Sequence, residues 1–176
     1  MGQTHQDAAA NLSATQQFLT FSLSGEMFGV GILTVKEIIE YGEVTEIPMV
    51  PAFICGVINL RGAVVPVIDL AARFGNTPTI PSRRTCIIIL EIRHEDSTQT
   101  LGVLVDSVSA VLDIPTSEIE PPPAFGARIR ADFIVGMGKV DGHFVILLDI
   151  ERVLSVDEIA TLATLGESDN SEAVSA

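Results

Sequence analysis

The chain repeats itself, and that repeat limits its architecture more than any other feature. Displaced by 80 positions, Phe53-Ile54-x-Gly56 falls on Phe133-Ile134-x-Gly136, and the same displacement lays Gly62 on Gly142, Val65 on Val145 and Asp69 on Asp149. Displaced by 73, Gly29-Val30-x-Ile32-x-x-Val35-x-x-Ile38 falls on Gly102-Val103-x-Val105-x-x-Val108-x-x-Val111. Two matches in the same order define two related halves, residues 16–83 and 84–155, each a run of about five short strands. Short antiparallel strands leave sticky edges, and closing them into small barrels removes those edges. The expectation is an all-β chain of two small barrels. Whether each barrel is one contiguous half, or the halves exchange strands, is not written in the repeat.

Within the first half, residues 56–70 read as two strands joined at Leu60-Arg61-Gly62-Ala63. Gly62 takes the positive φ of a tight turn, and Arg61, the only cation of the stretch, is too costly to bury unpaired there. The side chains that fill the core are Val, Ile and Leu; aromatics make up only 5% and Trp is missing, which favours strands. A net charge of −13 would repel a phosphate backbone, so nucleic acid is not an expected partner.

Residues 1–15 and 166–176 read as frayed polar tails. Phe18 to Leu23 alternates as a strand and pairs with Met27 to Ile32 across Ser24-Gly25-Glu26. Val35 to Glu40 has the spacing of a short helical turn ended by Gly42. A second turn of helix covers Leu70 to Phe74, stopped by Gly75, and residues 76–84 connect the halves. Strands return at Thr85 to Ile92 and Leu101 to Leu112, separated by a polar loop from His94 to Thr100. A loop around Pro121-Pro122-Pro123 precedes a hairpin at Val140-Asp141-Gly142-His143. The last element is a C-terminal helix, Ile150 to Leu154, continued by Asp157 to Leu165 in a segment spanning 156–165.

No apolar run approaches the ~18–20 residues that cross a bilayer, and no signal-peptide core opens the chain. Gln6 stands where an N-myristoylation pattern wants Ser or Thr. The expectation is a cytoplasmic protein. Cys55 and Cys86 lack CxxC spacing and read as small buried hydrophobes in a reducing compartment, with a disulfide between them as the alternative.

A search for chemistry returns nothing. His5, His94 and His143 have no partner at metal-ligand spacing, and no nucleophile elbow, phosphate loop or dinucleotide fingerprint occurs. Asp69 and Asp149 stand at the ends of strands just before helices, where an N-cap is the common role for a carboxylate. The chain reads as non-enzymatic and without a cofactor; a small-ligand barrel or an enzyme of unrecognised type is the distant alternative.

What remains is surface. Arg61 on its turn and Glu37 are placed to form a charge-assisted pair, either as a structural tie or as a polar spot in an apolar binding groove supplied by Val35, Ile38 and the backbone around Leu60. Phe125, after three prolines, either plugs its own barrel or docks on a neighbour.

The residues Phe28-Gly29-Val30, Val35-x-Glu37-Ile38, Pro51-Ala52-Phe53-Ile54-x-Gly56-Val57-x-Asn59-Leu60-Arg61-Gly62, Pro66-x-Ile68-Asp69-Leu70 and Val105-Asp106-x-Val108-x-x-Val111 together resemble the CheW family of chemotaxis coupling proteins. The resemblance covers residues 16–155, and the Asn-Leu-Arg-Gly turn is its most specific piece. It implies two SH3-like five-stranded barrels and an adaptor that joins the cytoplasmic tips of chemoreceptors to the histidine kinase CheA. Receptor helices would lie between the barrels, and the kinase's own CheW-like regulatory domain would pack end to end against one of them.

By that resemblance Arg61 and Glu37 match the charged pair near the receptor groove, and Val35 and Gly56 match coupling positions; Ile38, Asn59 and Leu60 are expected to join them in receptor and kinase coupling. Phe125 matches an aromatic used between neighbouring array units. Read as complete, the chain has no room for the kinase's catalytic domains or a receiver domain. A stand-alone adaptor, monomeric until its partners assemble it, is the expectation. The same module serving a parallel chemosensory system is the runner-up.

Overall fold

The computed structural model describes residues 15–94, 96–122 and 131–154. Eleven strands and two short helices follow one another there: β1 Thr15–Leu23, β2 Glu26–Gly31, β3 Val35–Glu40, β4 Ile54–Leu60, β5 Ala63–Asp69, α1 Leu70–Arg73, β6 Cys86–His94, β7 Ser97–Val105, β8 Ser107–Pro115, β9 Ile119–Glu120, β10 Ile134–Val140, β11 His143–Leu148 and α2 Ile150–Val153. They form two sheets. One has the order β8-β1-β2-β11-β10-β9, the other β3-β6-β7-β5-β4.

The two orders are the same order. Sequence displacement by 80 takes β4 and β5 onto β10 and β11, and displacement by 73 takes β2 onto β7. The parallel pairings Leu147↔Gly29 and Val67↔Gly102 are therefore equivalent, as are the backbone bonds from Asp69 N to Phe53 O (2.7 Å) and from Asp149 N to Phe133 O (2.8 Å). Even the two-residue β9, which makes the first sheet six-stranded, has its counterpart in the lone bridge Thr45↔Val57. Each sheet curls until its edges meet: β8 runs into β9 through one 3-10 turn, Thr116–Glu118, and β3 approaches the Thr45 bridge across residues 41–44.

The halves exchange strands reciprocally. β1 and β2 from the first half join β8 to β11 of the second, while β6 and β7 of the second join β3 to β5 of the first. The chain crosses between barrels at the 3-10 turn Ile32–Thr34 and again at Asp106, 73 positions on.

Alternation along a strand then fills two spaces at once. On β6, Ile87 and Ile89 point into their own barrel with Ile58, Val65, Val67 and Leu104. Ile88, Leu90 and Ile92 point the other way, into a core shared with Leu19, Phe21, Leu23, Phe28 and both helices. The first barrel has its own small core of Phe18, Ile114, Val145 and Leu147. Burying an Ile or Leu completely contributes roughly 1.5–3 kcal/mol, and the shared cluster is the largest of the three.

Three elements differ from the sequence expectation. Val35–Glu40 is a strand, not a helical turn. A bulge between Val35 and Glu37 sets Val35 opposite Leu90 and Ile38 opposite Ile88, so residues three apart share a face and imitate helical spacing. The polar stretch from His94 to Thr100 is mostly strand: the β6–β7 ladder continues from Glu91↔Thr100 to His94↔Ser97. The strand expected from Leu101 to Leu112 breaks at Asp106, whose carboxylate accepts from Ser24 N (2.9 Å) at the crossing. The helices after β5 and β11 start where expected, with Asp69 accepting from the N–H groups of Ala71 and Ala72 and Asp149 from that of Arg152. The continuation over 156–165 and both tails lie outside the described residues.

Candidate functional site

Arg61 occupies the left-handed first position of the β4–β5 turn, with φ 51° followed by Gly62 at 87°. Asn59 fixes that turn by accepting from Gly62 N at 2.8 Å. The turn therefore holds the Arg61 backbone and leaves its side chain, 70% exposed, free to reach across. It reaches β3. Nη1 and Nη2 donate to the two carboxylate oxygens of Glu37 at 3.0 and 2.7 Å, a two-point pair. β3 and β4 are the opposite edges of the five-stranded sheet, so this pair spans the closing seam of the barrel. The Arg61 hydrogen bonds hold the Glu37 carboxyl below its ordinary value, and the same bonds raise the guanidinium above its own.

Around the pair, Val35 is half-buried against the shared core and Leu60 against the interior of its barrel. Ile38 is 42% exposed and Val64, just past the turn, 71%. Val35 is also the first residue after the chain crosses from one barrel to the other. Gly56 stands apart from this surface. Its φ of 148° and a backbone approach by Thr45 leave no room for a Cβ, so its role is to let the Thr45 bridge form. Gly136 meets Glu120 the same way in the other barrel.

The other barrel lacks the ion pair. The equivalents of Arg61 and Glu37 are Asp141 and Ala110, and the space there stays open as a recess of about 690 Å³ lined by Met27, Leu112, Met137, Val140, Phe144 and Ile146 among others. The repeat thus yields two barrel ends of one geometry and different chemistry.

Cys55 and Cys86 are free, half-buried thiols, so the disulfide alternative fails. Burial, then the nearby Asp69 charge, pushes the Cys55 thiol up to about 12. His143 begins β11, and among the described residues no three His, Cys, Asp or Glu side chains converge on a metal-sized site. His5 and Phe125 lie outside the described residues.

One residue escaped the sequence reading. Arg73 ends α1 and lies between the rings of Phe53 and Phe133, 5.0 and 5.1 Å from their centroids, while its Nε donates to Val153 O at 2.9 Å. Two signals pointed to it: Arg73 is the sole cation between Gly62 and Ser82, and both Phe53/Phe133 and 73/153 are pairs 80 apart.

Two fused barrels, with an ion pair across the seam of one of them, are what the described residues present. Comparison with known proteins gives the chain's family. The family model for the CheW-like domain matches residues 17–158. The chemotaxis protein CheW of Klebsiella aerogenes is 37% identical over 87% of this chain and 90% of its own length. Protein FrzA of Myxococcus xanthus is 30% identical over 77% and 81%. The crystal structure of the scaffolding protein TtCheW from Thermoanaerobacter tengcongensis superposes with a TM-score of 0.71 at 38% identity, covering 78% of this chain and 86% of that one. The chain belongs to the CheW family of chemotaxis scaffold proteins, a family of adaptors rather than enzymes.

Proposed function

We propose that this protein couples the cytoplasmic tips of chemoreceptors to a CheA-type histidine kinase, acting by binding alone. The observation that carries the reading is the Arg61–Glu37 pair at a barrel seam, on strands that also carry the exposed Ile38 and Val64, with β3 following directly on the crossing at Ile32–Thr34. A rigid, charged spot set in apolar surface is what a helical partner needs for register, while the apolar side chains supply contact area. Asn59 acts through the turn that aims Arg61, and Val35, Ile38 and Leu60 offer apolar contact on the strands that carry the pair. Gly56 contributes through the backbone. The kinase's CheW-like domain, and other units of an array, would meet the chain elsewhere, with Phe125 at one such contact.

On this reading the protein works in the cytoplasm, and no helix among the described residues is long and apolar enough to cross a membrane. It reaches membrane receptors through its partners, and many moderate contacts in an array add to a stable assembly. A second reading is service in a parallel chemosensory system, favoured by the likeness to FrzA as well as to several proteins named CheW.

A pull-down from a bacterial lysate with the tagged chain, run beside Arg61→Glu, tests the proposal. Recovery of a CheA-type kinase and a receptor, with less receptor on the variant, is the expected result. Recovery of neither overturns it, and which kinase comes down separates the two readings.

A further inference from the structure

Apolar burial holds the two barrels together, and its driving force is non-directional. Among the described residues the directional restraints between them include the two chain crossings, at Ile32–Thr34 and Asp106, and a charged side chain that joins the equivalent helices α1 and α2. That side chain is Arg73. It comes from α1, behind β5 of one barrel, and its Nε donates to Val153 O on α2, behind β11 of the other. Its guanidinium is flanked by Phe53 and Phe133, both within cation–π range and each from a different half of the repeat.

The four residues of this contact are related in pairs by the displacement of 80: 53 with 133, and 73 with 153. Arg73 therefore sits where the two halves meet as equals, and that place holds one guanidinium, not two. The other half has Val153 there, which offers its carbonyl instead. A third ring extends the contact, since Phe74 packs on Phe133 at 6.1 Å and on Phe28 at 5.7 Å. A planar fork stacked between two rings and hydrogen-bonded at its edge fixes both rotation and translation, which a Lys ammonium does not.

We propose that Arg73 is a positioning residue that sets the angle between the barrels. It thereby sets where Val35 and the Arg61–Glu37 pair stand relative to the second barrel. The proposal deepens the adaptor reading and rests on it for its consequence, but the angle itself is measurable without any partner.

The test uses the full chain with Cys55→Ala and Cys86→Ala, spin-labelled at Val64→Cys and Phe144→Cys, the equivalent hairpin tips of the two barrels. Pulsed electron resonance reads the distance between them. Arg73→Met is expected to broaden that distribution, roughly doubling its width, and Arg73→Lys to give an intermediate result. Amide chemical shifts inside each barrel should stay those of the parent.

An unchanged distribution alongside lowered stability would overturn the proposal and leave Arg73 as a stabilising contact only. Should Arg73→Met fail to fold, Phe53→Leu removes one ring face and decides by the same distance. Binding of a receptor-tip helical fragment to the unlabelled proteins runs in parallel. If the parent chain itself binds none, the adaptor reading fails, whereas the distance result still decides Arg73.

Discussion

Arg61 and Glu37 stand on opposite edges of one five-stranded sheet, and their paired hydrogen bonds of 3.0 and 2.7 Å close the seam between those edges. So exposed a pair is screened by water and adds little to folding. Its geometry is nonetheless well defined, because a type of turn with two positive φ angles fixes one end and a bulged strand the other. A contact that is rigid without being strongly stabilising fits recognition better than architecture.

Reversing one charge should therefore separate binding from stability. Arg61→Glu is expected to weaken receptor binding by about tenfold or more while the thermal midpoint stays close to the parent's. The double variant Arg61→Glu/Glu37→Arg should recover most of that loss. Fluorescence anisotropy with a receptor-tip fragment, alongside thermal melts, reads both. A collapse of the melt without a selective loss of binding would assign the pair to the fold.

The Glu37 carboxyl should titrate below its ordinary value, because the Arg61 hydrogen bonds stabilise its charged form. A folded-state value below the unfolded one means that the pair contributes above the unfolded value and is lost as pH falls through the folded one. Carboxyl carbon shifts followed by NMR report this directly. In Arg61→Ala the midpoint should return towards the ordinary value; an identical midpoint in both proteins would show that the two side chains do not pair in solution.

Gly56 and Gly142 both have positive φ, at 148° and 80°, but only Gly56 faces a backbone atom where a Cβ would go. Gly142→Ala should cost about 1 kcal/mol and Gly56→Ala about 3 kcal/mol or more, as strain and clash add. Denaturant melts compare them. Equal costs would mean that the Thr45 bridge yields easily.

Much of this architecture was legible because its determinants are local or periodic. The displacement of 80 announced equivalent hairpins, and the structure keeps their register residue for residue, Ile54↔Ile68 against Ile134↔Leu148 with a bulge at the same place. Helix starts were legible in Asp69 and Asp149 because capping depends on the next three residues alone. The bulge at Val35–Glu37 was not, since an extra residue on a strand shifts the face by the same amount as a helical step. Strand exchange was beyond reach for a different reason: similarity between halves says which strands are alike, never which ones pair. Of the site, the Arg61–Glu37 contact was foreseen from charge scarcity, whereas Arg73 depends on rings brought together only by the fold.

Because each barrel borrows a hairpin from the other half, neither half should fold alone. Fragments 15–83 and 84–154 are expected to be unfolded separately and to regain strand signal by circular dichroism when mixed. A folded 84–154 fragment would contradict the reciprocal exchange of β1–β2 and β6–β7.

Cys55 should be a poor nucleophile. With its thiol pushed up to about 12 by burial, its thiolate at pH 8 is scarcer by about a thousandfold than that of a thiol at 9.0. The native state then holds the proton more tightly, so this contribution to stability is present below about 9 and fades as pH rises towards about 12. Reaction with a disulfide reagent in the Cys86→Ala background, native against denatured, measures it. Equal rates would mean that Cys55 is open to solvent.

The central claim is that one chain holds a receptor and a kinase at once. Sedimentation velocity of the protein mixed with a receptor-tip fragment and the CheW-like regulatory domain of a CheA-type kinase tests it most directly. A single boundary containing all three, reduced to the kinase pair with Arg61→Glu, is the predicted result. Two partners that displace each other, or a protein that sediments alone in the presence of both, would contradict it.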